Sequence, residues 1–176
     1  KELQILGNIR GSMKKKILVH GPALSRSGYG EQTRFAIRAL RAHEDKFDIY
    51  LVNTAWGRTG QISADTEERR WLANLLIKTV TYVQQSGGQP AFDVSVQITI
   101  PNEFEKIAPV NIGYTSGIET TKIAPHWIQK CNEMVDHVLT ISEHSKAVMA
   151  NTAYDGQTPA GETIPGGYKI EVPIEH

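Results

Sequence analysis

Apolar residues in this chain recur with two spacings that alternate along its length. Short apolar or alternating runs, bounded by glycine, proline or charged residues, predict buried strands. Longer runs with apolar positions three and four residues apart predict amphipathic helices. Strands are predicted at 17–19, 47–53, 94–100, 110–115, 136–142 and 170–174. Helices are predicted at 33–41, 65–80, 125–135 and 142–151.

This alternation of strand and helix predicts an α/β fold. A mostly parallel sheet with helices on both faces is the architecture that such an order favours. Right-handed crossovers make it a Rossmann-like, doubly wound sheet. Asp65 with Glu68 is typical of a helix start, and Ser142 can cap the last helix. The Pro- and Gly-rich tail predicts only the one short strand near Ile170.

The composition of the 176-residue chain indicates one ordinary globular domain. Lys plus Arg and Asp plus Glu number 19 each, so no net charge favours nucleic acid or an anionic membrane. The single cysteine, Cys131, allows no intramolecular disulfide and fits a cytoplasmic protein. No apolar run is long enough to span a membrane. Residues 1–12 are interpreted as a vector-derived tag, which leaves 13–176 as the domain.

The segment GPALSRSGYGEQTR, residues 21–34, separates the first predicted strand from the first helix. Ligands of open α/β sheets bind beyond the carboxyl ends of the strands, where helix N-termini favour phosphate. Gly28 and Gly30 permit close approach and a positive φ. Ser25 and Ser27 can donate hydrogen bonds, and Arg26 can pair with an anion. The segment therefore predicts a site for phosphate or a polar sugar; the alternative is a turn whose glycines serve packing alone.

Named motifs do not resolve that choice. A Walker A loop starting at Gly21 would need Gly and Lys where Arg26 and Ser27 stand. Dinucleotide-binding folds usually carry an acidic residue where this chain has Asn53.

The remaining charged and metal-binding residue types do not indicate a site. Arg34, Arg38 and Arg41 of the first helix predict a solvated face. The histidines and Cys131 lack the spacing of metal ligands.

Three stretches, taken in order, resemble the N-terminal half of a GT-B fold glycosyltransferase of the family 4 type. They are KKILVHGPALSRSGYGEQTRFAIRAL, NIGYTSGIETTKIAPHWIQKCNEMVDHVLTISEHSKAV and YKIEVPIEH. The resemblance implies two Rossmann-like domains facing a cleft. The N-terminal domain receives the acceptor, and the C-terminal domain holds the nucleotide sugar through two glutamates separated by seven residues. No such pair occurs here, so we expect the C-terminal donor domain to be absent and this chain to be inactive alone.

The resemblance also implies the chemistry and the partners. It implies retaining transfer of a sugar from a nucleotide-diphosphate donor, which acts as co-substrate, with no cofactor and no essential metal. The acceptor would be a glycan, a lipid or another small molecule. Nucleic acid and a membrane span are not expected, while peripheral membrane association and the identity of the acceptor stay open.

The resemblance also implies roles for particular residues, at the positions that match the family's motifs. Ser27, Gly28 and Gly30 match the loop that approaches donor phosphate or acceptor. Glu119 and Thr120 match the loop on the acceptor side, and Ser142 matches the start of the helix after the fifth strand. Many relatives have a histidine near position 119, whereas the nearest here is His126.

Two other functions stay open. The chain could be a stand-alone Rossmann-like module that binds a phosphate- or sugar-bearing ligand without catalysis. The other hypothesis is a dinucleotide oxidoreductase. Trp56, at the end of the second strand, would either stack on a sugar ring or plug the core beneath its loop.

Overall fold

The computed structural model describes residues 13–116 and 118–176, so the predicted tag at 1–12 lies outside the described residues. The strands are β1 (Lys15–Gly21), β2 (Phe47–Asn53), β3 (Val94–Ile98), β4 (Val110–Tyr114), β5 (His137–Leu139), β6 (Ala153–Gln157), β7 (Thr163–Lys169) and β8 (Ile174–Glu175). The helices are α1 (Gly28–Arg41), α2 (Glu67–Gln85), α3 (Pro125–Met134) and α4 (Glu143–Asn151).

Six of the strands form one parallel sheet in the order β2-β1-β3-β4-β5-β8. Its helices lie on both faces, so the predicted α/β, Rossmann-like doubly wound fold is confirmed. The order changes direction between β1 and β3, which is the switch point where such sheets bind ligands. The prediction of a single strand in the tail is wrong, because β6 and β7 form an antiparallel hairpin before β8.

The core has two layers because successive residues of each strand point to opposite faces of the sheet. On the first face, Val19 and Leu51 pack with Ile37 of α1. On the second face, Leu18 and Tyr50 pack beneath the segments that flank β3 and β4. Helices α3 and α4 cover the far end of this second face, where Ile128, Cys131, Val138, Val148 and Met149 are buried together.

Helix α2 lies against the open edge of β2. The Leu51 N–H donates to the Thr79 hydroxyl at 2.9 Å, and the Lys78 ammonium donates to the Ile49 carbonyl at 2.8 Å. These side chains satisfy backbone groups that an edge strand otherwise exposes. The predicted pairing of Asp65 with Glu68 is wrong: Thr66 is the N-cap of α2, and Asp65 pairs with Arg70 instead.

Strands β3 and β4 are joined by a segment that contains only a short 3-10 turn, Pro101–Glu103. The side chain of Gln97, which is fully buried, satisfies backbone groups of this segment: it accepts from the Glu105 N–H and donates to the Glu105 carbonyl. Phe104, also fully buried, anchors the segment in the core. Within the described ranges, no helix is both long and apolar enough to cross a membrane.

Candidate functional site

The side chain of Tyr29 joins three loops at the carboxyl edge of the sheet. Its hydroxyl donates to the Ser116 carbonyl at 2.8 Å and lies 3.1 Å from the Thr115 hydroxyl, in the loop after β4. Its ring lies 4.3 Å, centroid to centroid, from the ring of Trp56, in the loop after β2. Tyr29 itself follows β1. The loops after β1, β2 and β4 are therefore held together at the switch point, and no motif pointed to this tyrosine.

The loops after β1 and β2 are also joined through their backbones. The Arg26 N–H donates to the Gly60 carbonyl at 2.8 Å, and the Ile62 N–H donates to the Leu24 carbonyl at 2.8 Å. The Asn53 side chain accepts from the Leu24 N–H at 2.9 Å. Asn53 stands where dinucleotide-binding folds carry an acidic residue, and here its side chain fixes the loop after β1.

Arg34 organises the loop after β1 from beneath. Its guanidinium is buried and donates to the Ala23 and Ser25 carbonyls at 2.7 and 2.8 Å, and it pairs with Glu31. The predicted solvated face is therefore wrong for Arg34. It fits Arg38 and Arg41, whose side chains are 43% and 38% exposed and pair with acidic residues of α1 and α2.

Gly28 and Gly30 lie in the first turn of α1, and neither has a positive φ, so that part of the prediction is wrong. Their surroundings differ. A Cβ atom at Gly30 would lie 2.1 Å from the Ser25 carbonyl oxygen, so no side chain fits there. A Cβ at Gly28 would meet nothing within 4 Å. Gly30 is therefore a packing glycine, while Gly28 borders open space.

Three hydrogen-bond donors at the start of α1 are free to meet a ligand. Ser27 is the N-cap, and its hydroxyl accepts from the Gly30 N–H and from the Ser25 hydroxyl, which leaves its own hydrogen available. The N–H groups of Gly28 and Tyr29 have no acceptor among the described residues. Ser25 is buried, and its hydroxyl bonds to Ser27 and Thr59, so it shapes the loop.

Two exposed arginines lie in the loops after β1 and β2. Arg26 is exposed, and its guanidinium donates only to the Ser63 hydroxyl, at 3.3 Å. Arg58, in the loop after β2, is exposed as well. In the described part of the chain neither arginine has a carboxylate within 4.0 Å. Together with the N-terminus of α1, these arginines favour an anion at this edge.

Glu119 and Thr120 lie on the other side of the edge, in the loop after β4. Both are exposed and border a cavity of about 400 Å³. The Thr120 hydroxyl donates to the Lys122 carbonyl, so its oxygen can still accept. Trp127, half-buried in the first turn of α3, lines the same cavity and was not singled out from the sequence. His126 is exposed beside it, at the helix start as predicted.

Ser142 caps α4, as predicted. Its hydroxyl accepts from the Ser145 N–H at 3.1 Å and donates to the Ser145 hydroxyl. Both bonds lie within the helix start, so the hydroxyl is committed to the cap. The binding role that the resemblance implies for Ser142 stays a prediction.

His20 is the last residue but one of β1 and lies directly below this edge. Burial lowers its pKa, and the nearby carboxylates of Glu105 and Glu103 oppose that shift. Its Nδ1 atom is buried and has no hydrogen-bond partner among the described residues. The imidazole is therefore neutral at pH 7.

The free donors at the start of α1 suit the binding of an anion at this edge. No cluster of histidine, cysteine or carboxylate residues suited to a metal ion occurs in residues 13–116 and 118–176. The free donors and unpaired arginines lie after β1 and β2, and the cavity bordered by Glu119 and Lys122 lies after β4. Comparisons with models of protein families, with curated proteins and with solved structures found no match for this chain.

Proposed function

We propose that this chain is the acceptor-side domain of a retaining glycosyltransferase that uses a nucleotide-diphosphate sugar. The observation that carries the proposal is the start of α1. There, free N–H groups of Gly28 and Tyr29, the Ser27 hydroxyl and the unpaired Arg26 lie together at the switch point. Donors at a helix N-terminus with an adjacent cation are the typical protein partners of a phosphate.

The cavity after β4 supports the acceptor part of the proposal. Sugars are bound by carboxylates that accept from hydroxyl groups and by aromatic rings that cover the apolar face of the sugar. Glu119 supplies such a carboxylate, and Trp127 supplies an aromatic wall. The Tyr29 hydroxyl, through Ser116, fixes this loop relative to the start of α1. An acceptor in the cavity and a phosphate at α1 would then share one edge of the sheet.

The roles of this chain's residues follow from their atoms. The N–H groups and Arg26 would stabilise negative charge on the phosphate, which is the charge that develops when the sugar leaves. Glu119 and Thr120 would orient acceptor hydroxyls. The neutral His20 lies beneath the loops with a buried, unpartnered Nδ1, and we assign it no contact with a ligand.

Calorimetry with a nucleoside diphosphate tests the phosphate site. We expect Arg26→Ala to weaken binding by about 1.5–3 kcal/mol, the range for a hydrogen bond to a charged group. Arg70→Ala is the matched control, because Arg70 is an exposed arginine on α2 that pairs with Asp65 away from this edge. Equal affinities for the wild type and Arg26→Ala would contradict the assignment of this site.

A stand-alone binding module is the second candidate. It is favoured by the bonding of Ser27, whose hydroxyl contacts only Ser25 and Gly30 and no carboxylate or imidazole. Such a group can bind but is not activated as a nucleophile. A transfer assay on the natural gene product, with a labelled nucleotide sugar and a panel of acceptors, separates the two. Labelled product supports the glycosyltransferase; tight binding of the same ligands with no product supports the module.

A further inference from the structure

The loop after β2 carries an aromatic ring, that of Trp56, at the carboxyl edge of the sheet. Trp56 is half-buried, and its ring lies 4.3 Å from the ring of Tyr29, centroid to centroid. Tyr29 packs against the core of the first face, whereas Trp56 joins none of the three buried clusters in the described part of the chain. The Trp56 ring therefore rests on Tyr29 and does not plug the core beneath its loop. A partly exposed aromatic ring in this position can cover a flat ring of a ligand.

Hydrogen bonds fix the loop that carries Trp56 against the loop after β1. The Thr59 hydroxyl lies 2.7 Å from the Trp56 carbonyl oxygen and 2.6 Å from the Ser25 hydroxyl. Gly57, whose φ is 53°, lets the chain turn directly after Trp56. The position of the Trp56 ring is therefore set before a ligand binds, and a contact that is already in place costs less entropy on binding.

The Trp56 ring lies within reach of a ligand whose phosphate is bound at the start of α1. The Tyr29 N–H is one of the free donors there, and covalent geometry places it roughly 5 Å from the centre of the Tyr29 ring. Since the two rings are 4.3 Å apart, the Trp56 ring lies no more than about 10 Å from that N–H. A Cβ atom at Gly28 or at Gly57 would meet nothing within 4 Å, so open space borders both loops. A nucleoside joined to the phosphate is long enough to cross this distance.

The order of the strands indicates which part of a nucleotide sugar meets Trp56. The phosphate site proposed at the start of α1 follows β1, and the proposed acceptor cavity follows β4. Trp56 follows β2, which lies on the opposite side of β1 from β4. In a nucleotide sugar the diphosphate joins the sugar at one end to the nucleoside at the other. The sugar must point toward the acceptor for transfer, so the nucleoside points the other way, toward β2 and Trp56.

We propose that Trp56, supported by Tyr29, stacks on the base of the nucleotide whose phosphate binds at the start of α1. The assignment rests on the phosphate site of the proposed function. It adds a contact that the resemblance does not imply, because the resemblance gives the nucleotide to the C-terminal domain. Stacking on an aromatic side chain strengthens the binding of a base by about 5- to 150-fold, largely irrespective of which base it is. This chain should therefore bind a nucleoside diphosphate more tightly than it binds inorganic pyrophosphate.

Calorimetric titration of the whole chain with pyrophosphate, ADP, GDP, UDP and UDP-glucose tests the stacking. Trp56→Ala should weaken the binding of the nucleoside diphosphates by at least about fivefold and leave the affinity for pyrophosphate unchanged. Trp56→Leu keeps an apolar side chain against Tyr29 but no aromatic ring, and it should behave in the same way. Phe35→Ala is the matched control, because it removes a ring that is 59% exposed about two turns further along α1. This variant should bind every probe as the wild type does.

Circular dichroism shows whether each variant is folded, and three results would overturn the stacking while the phosphate site stands. The first is an unchanged affinity for the nucleoside diphosphates in a folded Trp56 variant. The second is an equal loss of affinity for pyrophosphate, since Trp56 would then only support the loop. The third is a loss with UDP-glucose and not with UDP, since the transferred sugar would then meet Trp56. A folded wild type that binds none of the probes would overturn the phosphate site together with the stacking.

Discussion

The two glycines of the first turn of α1 differ in their surroundings, since Gly30 leaves no room for a side chain and Gly28 borders open space. The variant Gly30→Ala tests this directly. The added Cβ would lie 2.1 Å from the Ser25 oxygen and 2.8 Å from the Ser25 carbonyl carbon. Ordinary contact begins near 3.4 Å, so the loop or the helix must move by more than an ångström. That movement also breaks the bond from Arg34 to the Ser25 oxygen. Overpacking and the lost charged bond together predict a destabilisation of roughly 3–5 kcal/mol.

Urea unfolding followed by circular dichroism measures this change, and Gly28→Ala is its control. A Cβ at Gly28 meets nothing within 4 Å, so we expect the free energy of unfolding to change by less than about 0.5 kcal/mol. The reasoning would be refuted if Gly30→Ala were as stable as the wild type, or if the two variants lost equal stability.

Three further predictions concern buried groups. Arg34→Lys should lower the free energy of unfolding by about 2–3 kcal/mol, because an ammonium cannot reach two loop carbonyls and Glu31 as the guanidinium does. Urea unfolding of this variant and of the control Arg41→Lys measures the loss. Equal losses of stability in the two variants would contradict the prediction. Burial lowers the pKa of His20 below its usual value near 6.5, so the unfolded chain takes up a proton first as the pH falls below 6.5. Stability should therefore decrease from pH 7 to pH 5, by at most about 1.4 kcal/mol per pH unit, and this slope should be absent in His20→Gln. Burial raises the pKa of the Cys131 thiol to about 12. A thiol reagent at pH 8 should therefore label the unfolded chain quickly and the native chain very slowly. Fast labelling of the native protein would contradict this prediction.

The elements of the sheet could be predicted because their apolar patterns are strong. The segment 47–53 contains a continuous apolar run and ends at a polar residue, and β2 has those bounds. The hairpin of β6 and β7 could not be predicted in this way, since β7 contains Pro165 and two adjacent glycines and is mostly exposed. Backbone pairing, together with Tyr154 and Tyr168 packing against the core, holds the hairpin in place.

The sequence predicted a loop between β1 and the first helix, but not the atomic detail of that loop. Periodicity placed Gly28 and Gly30 in a loop, whereas the cap at Ser27 starts the helix before them. Arg34 was grouped with its neighbours by charge, although its burial depends on the carbonyls of a loop that folds back over α1. The role of Tyr29 depends on contacts with residues 86 and 87 positions away, which no local pattern shows.

The most direct test of the proposed site is a titration of the isotopically labelled chain with a nucleoside diphosphate, followed through its amide resonances. We predict saturable shifts of the Gly28 and Tyr29 amides, because their N–H groups are free at the N-terminus of α1. The amides of Gly161 and Gly166, in and beside the hairpin of β6 and β7, should not move and serve as internal references. Arg26→Ala should shift the midpoint to higher ligand concentration by at least about tenfold. Unchanged Gly28 and Tyr29 resonances at saturating ligand, or shifts of equal size throughout the chain, would contradict the account.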